Sequence, residues 1–292
     1  AMMANITAAQ VKQLREMTDS PMMECKKALV EADGDMDAAV DILRKNGLAA
    51  AAKKAGRETN EGAVGAFVSD DATAGALCEV ACETDFVGSN PKFTGFAAAV
   101  AQVVSETNPA DVDALLKESL VGETVESALT ELIHTMGENM KITRFAARKA
   151  ANGAVSSYVH MGGKIGVIVE FAFNNAETAQ NEAFKTFAHD VCLQVAAVAP
   201  ICAVREDVPA ETIEHEMSIY KAQAAESGKP EAIQEKIATG RLEKFYKEQV
   251  LTEQAFVKDA DMTIAQYAAK VSKETGDEIR IVGFDRISRA DA

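Results

Sequence analysis

Positive charge is in short supply in this 292-residue chain. Thirty Lys and Arg stand against 45 Asp and Glu, a formal net charge of −15, and the pI is near 4.8. Phosphate backbones and anionic membrane surfaces repel such a chain, so nucleic acid or lipid is excluded as its main partner. No apolar run of 18 residues exists, and the N-terminus lacks the basic-then-apolar pattern of a secretory signal. Ala1-Met2-Met3 reads as an added leader followed by a start, and the cytoplasm as the natural location. The five cysteines form no close-set framework, which points to free, buried thiols in a reducing compartment. Cys78 and Cys82, four apart on a predicted strand, sit about 13 Å apart along it, too far for a disulfide.

Catalytic patterns are missing too. His134, His160, His189 and His215 are scattered, with no metal-ligand spacing. Neither a phosphate-cradling loop nor a nucleophile elbow occurs. Met161-Gly162-Gly163-Lys164 is more simply a hairpin turn than a phosphate loop. A Cys78 or Cys82 nucleophile needs a neighbouring His and an electropositive setting, and the sequence supplies neither.

What the chain does contain is a duplication. Residues 62–104 shifted by 91 positions fall on 153–195 without a gap, and 13 of the 43 pairs are identical. Glu79 meets Glu170, and Phe93, Phe96, Val100 and Val104 meet Phe184, Phe187, Val191 and Val195. Each copy reads strand, turn, strand, loop, helix: Ala63–Val68, Gly75–Glu83 and a helix from Pro91, then Ala154–His160, Ile165–Phe173 and a second helix. The copies part at the end of the second strand, where Thr84-Asp85-Phe86 faces Asn175-Ala176-Glu177. A scaffold residue should recur, so Phe86 reads as a projecting probe rather than core, and Asp85 as either a cap or a functional carboxylate.

Around the duplication, residues 5–46 read as three short helices. Thr7 and Gln10 form a capping box ahead of an apolar stripe of Val11, Leu14 and Met17. Ser20-Pro21 opens a second helix, and Asp35 caps a third. Adjacent Met22 and Met23 point about 100° apart, so both cannot face one small core. A polar linker follows over Ala49–Asn60. Residues 111–138 read as helical, and Ile142–Ala147 as a strand. Residues 209–250 carry a heptad-like spacing broken at Ser227-Gly228-Lys229-Pro230, an antiparallel helical hairpin. A helix over Thr263–Thr275 and a strand over Glu278–Ile287 close the chain. The fold class is α+β.

Thr18-Asp19-Ser20-Pro21-Met22-Met23-Glu24-Cys25-Lys26-Lys27-Ala28-Leu29, Glu83-Thr84-Asp85-Phe86-Val87, and Ser157-Tyr158-Val159-His160 ahead of Ile165-Gly166-Val167 together resemble the bacterial elongation factor Ts family. The resemblance covers essentially the whole chain. It implies a three-helix ubiquitin-associated-like module with linker (1–57), a duplicated core (58–152 and 153–207), an inserted coiled-coil hairpin (208–252), and the end of the core with a C-terminal module (253–292). The function it implies is guanine-nucleotide exchange on elongation factor Tu, with no enzyme activity and no cofactor of the chain's own. Asp85 and Phe86, flanked by Thr84 and Val87, would enter the partner's GTPase domain near its Mg²⁺ and phosphate loop. Arg15, Met22 and Met23 would touch that domain, Met136 would supply an apolar contact, and His160 would meet the partner's third domain. A homodimer through the hairpin is the one further association it allows. The alternative from another class is a ubiquitin-associated-type adaptor or chaperone whose core is only a scaffold.

Overall fold

The computed structural model describes residues 5–292, so the reading of Ala1-Met2-Met3 falls outside the described residues. Within them the chain is α+β. Helix α1 (Ala8–Thr18) starts at the predicted capping box, with Gln10 N–H on Thr7 Oγ1 (3.2 Å) and Thr7 N–H on Gln10 Oε1 (2.9 Å). Val11 and Leu14 are buried, but Met17 is exposed. Two steps of three residues rotate a side chain about 120° around the helix, which carries Met17 off the apolar face. Ser20 does not cap α2 (Met22–Glu31). Pro21 occupies the cap position, while Ser20 turns inward and its carbonyl receives the Cys25 thiol (3.5 Å). Asp35 caps α3 (Met36–Lys54) through Ala38 N–H. That helix absorbs much of the stretch read as linker, because Ala49–Ala52 favour helix.

Strands β1 (Glu61–Val68) and β2 (Ala74–Cys82) lead into a one-turn helix α4 (Asp85–Gly88) and then α5 (Pro91–Thr107). Residues 111–138 are not helical throughout. Helix α6 (Val112–Leu116) is followed by a tight pair, β3 (Ser119–Leu120) and β4 (Glu123–Thr124), then by α7 (Val125–Met136) and β5 (Met140–Lys149). The turn between β3 and β4 has positive φ at both Val121 (45°) and Gly122 (82°), the two-residue hairpin geometry that a Val-Gly pair signals weakly.

The second set repeats the scheme. It contains β6 (Gly153–His160), β7 (Ile165–Ala172), α8 (Glu182–Val198), the long helices α9 (Ala210–Ala225) and α10 (Glu231–Gln249), short strands β8 (Ala255–Phe256) and β9 (Asp259–Thr263), α11 (Ile264–Thr275) and β10 (Arg280–Ser288). The sheets run β1-β2-β5 and β10-β7-β6, so in each the second strand of a hairpin is central. Helices α7 and α11 each have 12 residues, a Thr at the N-cap (Thr124, Thr263) and a left-handed Gly after the last turn (Gly137, Gly276). This correspondence lies at a shift of 139 positions rather than 91, because α9 and α10 intervene.

Two compact units result. The first holds the chain up to Gly65 with Cys78–Phe145 and Ala292, and the second holds Ala66–Leu77 with Ala146–Asp291. In the second, Val167, Val169 and Phe171 of β7 pack with Phe184, Phe187 and Val191 of α8 and with Ile264 and Val271 of α11. Phe171 meets Phe184 and Phe187 edge-on at 5.4 and 5.7 Å between centroids. Each fully buried ring contributes about 1.5–3 kcal/mol.

The recurring glutamates also acquire a reason. In the first unit, buried Glu79 accepts from Arg144 Nε (2.8 Å), Arg144 Nη2 (3.1 Å) and Thr143 Oγ1 (2.6 Å). In the second, Glu170 pairs with Arg148, which also binds Asp285 (2.8 Å). A side chain at Gly283 would press on the Arg148 guanidinium, 2.7 Å from its nearest atom. Each sheet thus neutralises a carboxylate on its central strand with an arginine from β5.

Gly65 of β1 lies so near α5 that an added Cβ would come within 2.4 Å of Ala97 C and Ala98 N. Gly65→Ala should therefore cost about 1–3 kcal/mol by overpacking. Gly95→Ala, on the open side of α5 with nothing within 4 Å, should be neutral or stabilising by up to about 1 kcal/mol. Urea unfolding followed by circular dichroism checks both.

Candidate protein-binding site

Phe86 is 84% exposed, its ring turned to solvent. Its backbone, by contrast, is tightly held. Thr84, extended at the N-cap, accepts Val87 N–H on its hydroxyl (3.3 Å) and donates that hydroxyl to Glu138 Oε2 (2.6 Å). Cys82 Sγ reaches Thr84 O at 3.2 Å. On the far side, Ser89 Oγ donates to Asp85 O (2.9 Å), and Asn90 caps α5 through Lys92 N–H (2.9 Å). The chain passes from β2 through one turn of α4 into α5 with no slack. Val87, expected with the contact residues, is buried and anchors the turn. Gly88 lies against Gly62 and Cys82, where a Cβ would come within 3.5 Å of each. Successive helical residues point about 100° apart, so pinning Val87 inward turns Asp85 and Phe86 outward.

Met22 and Met23 of α2 are 56% and 63% exposed, so neither enters the module's core, and Met17 is an exposed apolar neighbour in sequence that the stripe reading had assigned inward. Arg15 is exposed as well. Two ion pairs tie this helical module within the first unit. Glu24, next to Met23, meets His134 of α7 at 2.5 Å, and Asp19 meets Lys92 at the start of α5 at 2.6 Å. The second pair is exposed on both sides, so its worth is about 0–1 kcal/mol. Their value is geometric, since they attach the methionine-bearing helices to α7 and to the start of α5, the helix that follows the Phe86 turn. Met136, at the end of α7, is half-buried. Arg15, Met22, Met23, Asp85, Phe86 and Met136 thus share the first unit, while His160 belongs to the second.

His160 ends β6, as predicted, and its Nδ1 lies 2.8 Å from Tyr158 Oη. Tyr158 also meets His189 edge-on, 5.7 Å between centroids. On either side of His160, Val159 and Met161 are exposed, and Met161 is held at positive φ (50°) in the turn. Neither is among the contact residues that the resemblance implies.

Glu138 is the other omission. No motif marks it, and the only signal is that Gly137-Glu138 answers Gly276-Asp277 at the second repeat shift.

Cys78 and Cys192 have no solvent exposure, and burial pushes each thiol up to about 12; Cys202 is pushed to about 11, by burial first and then by nearby carboxylates. A cavity of ≈ 550 Å³ in the second unit, lined in part by Asn152, Glu170, Phe173 and Arg280, includes none of the expected contact residues. Among the described residues no His, Cys, Asp and Glu group converges as a metal site, and no helix is long and apolar enough to cross a membrane.

Phe86→Ala should leave stability within about 0.5 kcal/mol of wild type, as for other surface changes. A thermal-melt shift beyond measurement error would contradict its exposed placement. Maleimide at pH 7 should react slowly and at Cys202 first, while unfolding should release all five thiols, as read by mass spectrometry.

Comparison with known proteins agrees with the motif evidence. The family model described as Elongation factor TS matches residues 83–289. The chain is 48% identical over 282 residues to "Elongation factor Ts" of Trichlorobacter lovleyi, covering 96% of this chain and 91% of that protein. It is 48% identical over 287 residues to the protein of the same name from Clostridium perfringens, covering 98% and 93%, and 43% identical over 289 residues to that of Clostridium tetani, covering 98% and 94%. With an exposed Phe86 on a pinned turn and near-full-length identity to these proteins, the chain belongs to the elongation factor Ts family of translation elongation factors.

Proposed function

We propose that this chain binds elongation factor Tu carrying GDP and accelerates release of the nucleotide. The observation that carries the reading is Phe86, an exposed ring on a turn held at Thr84, Val87, Gly88 and Ser89, and absent from the matching turn of the second copy. A wedge must not bend back into its own protein when it meets its target, and the one-turn α4 meets that need. Full burial of the ring against apolar side chains of the partner contributes about 1.5–3 kcal/mol. Asp85 brings a negative charge beside it, close to the ligands of the partner's Mg²⁺. Disturbing the ion and phosphate contacts lowers the affinity for GDP, and no bond of the nucleotide is broken.

Arg15, Met22 and Met23 extend the contact with the GTPase domain, Met136 adds apolar surface, and His160 with its exposed neighbours Val159 and Met161 meets the partner's third domain. Flexible methionines suit a surface that must adapt to a partner changing shape. The same reading makes α1–α3 a ubiquitin-associated-like module, the two sheets a duplicated core, and α9–α10 an inserted hairpin. The chain brings no cofactor; the Mg²⁺ and nucleotide belong to the partner.

Stopped-flow release of fluorescent GDP from elongation factor Tu tests this. Micromolar wild type should speed release strongly. Phe86→Ala should lower the maximal rate about tenfold or more, the equivalent of losing one buried ring. No acceleration by wild type would sink the proposal.

A further inference from the structure

The turn bearing Phe86 is held by a device that both halves of the chain contain. Glu138, immediately after the glycine that ends α7, accepts Glu83 N–H (3.1 Å) and Thr84 N–H (3.0 Å) on one oxygen and the Thr84 hydroxyl (2.6 Å) on the other. Asp277, immediately after the glycine that ends α11, accepts Asn174 N–H (2.9 Å) on one oxygen, and Asn175 N–H (2.9 Å) and the Thr178 hydroxyl (2.6 Å) on the other. Asn174 and Asn175 are the partners of Glu83 and Thr84 at the 91-residue shift. The carboxylate strap is therefore scaffold, present with or without the Phe86 wedge.

Only the first copy answers the strap. The Glu83 carboxylate returns to Asn139 N–H (2.7 Å), whereas Asn174 offers no carboxylate at the matching place. Asn139, itself buried, donates its side-chain amide to Arg57 O (2.8 Å) and Ala55 O (3.4 Å), tying the segment after α3 to the same point. Charge-assisted bonds of this kind are about twice as strong as neutral ones. A hydrophobic wedge pressed into a partner is levered at its base, and the base here is Glu83-Thr84.

We propose that Glu138 and Glu83 are positioning residues, a reciprocal pair of carboxylate straps that keep α4 from yielding when Phe86 is driven into its target. This rests on the exchange reading for its functional consequence, while the strap itself is testable in the free protein. The strap should act on the maximal rate of release more than on half-saturation, because the Glu138 carboxylate is spent on the chain's own Glu83 and Thr84 and bears on how firmly the bound wedge is held.

The experiment compares wild type, Glu138→Ala, Glu138→Gln, Glu83→Ala and Asp277→Ala. GDP release from elongation factor Tu is titrated to saturation with each, and amide hydrogen exchange is followed at Glu83 and Thr84 in the free chains. Glu138→Ala should lower the maximal rate about tenfold with half-saturation moved less than about threefold, and both amides should lose protection. Glu138→Gln keeps an acceptor for the two amides and should recover most of the rate. Asp277→Ala loses the matching strap in the second unit and should keep the maximal rate within about twofold, even with lower stability. Glu83→Ala, at the returning arm, should move in the same direction as Glu138→Ala and carries the test if the latter does not fold. An undiminished maximal rate in folded Glu138→Ala, or unchanged protection of Glu83 and Thr84, overturns the proposal. Absence of acceleration by wild type overturns the exchange reading instead, and the amide measurement still decides whether the strap exists.

Discussion

A carboxylate placed one residue after a glycine-ended helix holds the end of the central strand in each half of this protein. Where β2 and β7 stop, their backbone N–H groups lose their ladder partners while still partly buried, and an unpaired buried donor costs about 1–3 kcal/mol. Glu138 and Asp277 satisfy these donors in pairs. For Asp277, burial pushes the carboxyl up, but the bonds from Thr178, Asn174 and Asn175 together hold it below the ordinary carboxylate range. The left-handed glycines before both carboxylates let the chain reverse sharply out of the helix and aim the side chain at the strand end. Helix, glycine, strap and edge strand form one unit of construction, used twice.

Function is added where the construction leaves freedom. Beyond the strap, the second copy runs through a 3₁₀ turn over Ala176–Gln180, and the first runs through α4 with Phe86 outward and Val87 inward. The same two hydrogen-bonded amides thus precede a plain connection in one half and an exposed ring in the other. In the proposed exchange reaction, a rigid base lets a single exposed ring serve as a wedge, because the energy of its burial would go to the partner's nucleotide site instead of to reordering its own loop. The acidic balance of the chain suits a protein partner rather than a phosphate backbone.

Much of this was legible beforehand, for physical reasons that differ from element to element. The strands of both hairpins announced themselves by alternation, and the long helices by their Phe and Val spacing. Phe86 stood out because a repeat exposes what its partner lacks. Met17 was misjudged because a three-residue spacing looks apolar-periodic over two turns while drifting around the helix. Ser20 next to Pro21 has the composition of a cap, but the chain buries the serine and leaves the position to proline. The Val121-Gly122 turn carried only half of its expected signal, since valine seldom adopts positive φ. Glu138 was hidden more deeply: its grip joins residues 54 positions apart, and its counterpart is an aspartate at a different repeat shift. Only geometry brings such pairs together.

Linkage gives the most direct test of the central claim. If this chain works by weakening the partner's hold on GDP, then GDP must weaken the partner's hold on this chain by the same factor. Titrating the chain against elongation factor Tu by calorimetry, with and without saturating GDP, measures one side of that cycle, and GDP affinity with and without the chain measures the other. The account predicts equal ratios, both shrinking together in Phe86→Ala. Binding of this chain that is indifferent to GDP would contradict it.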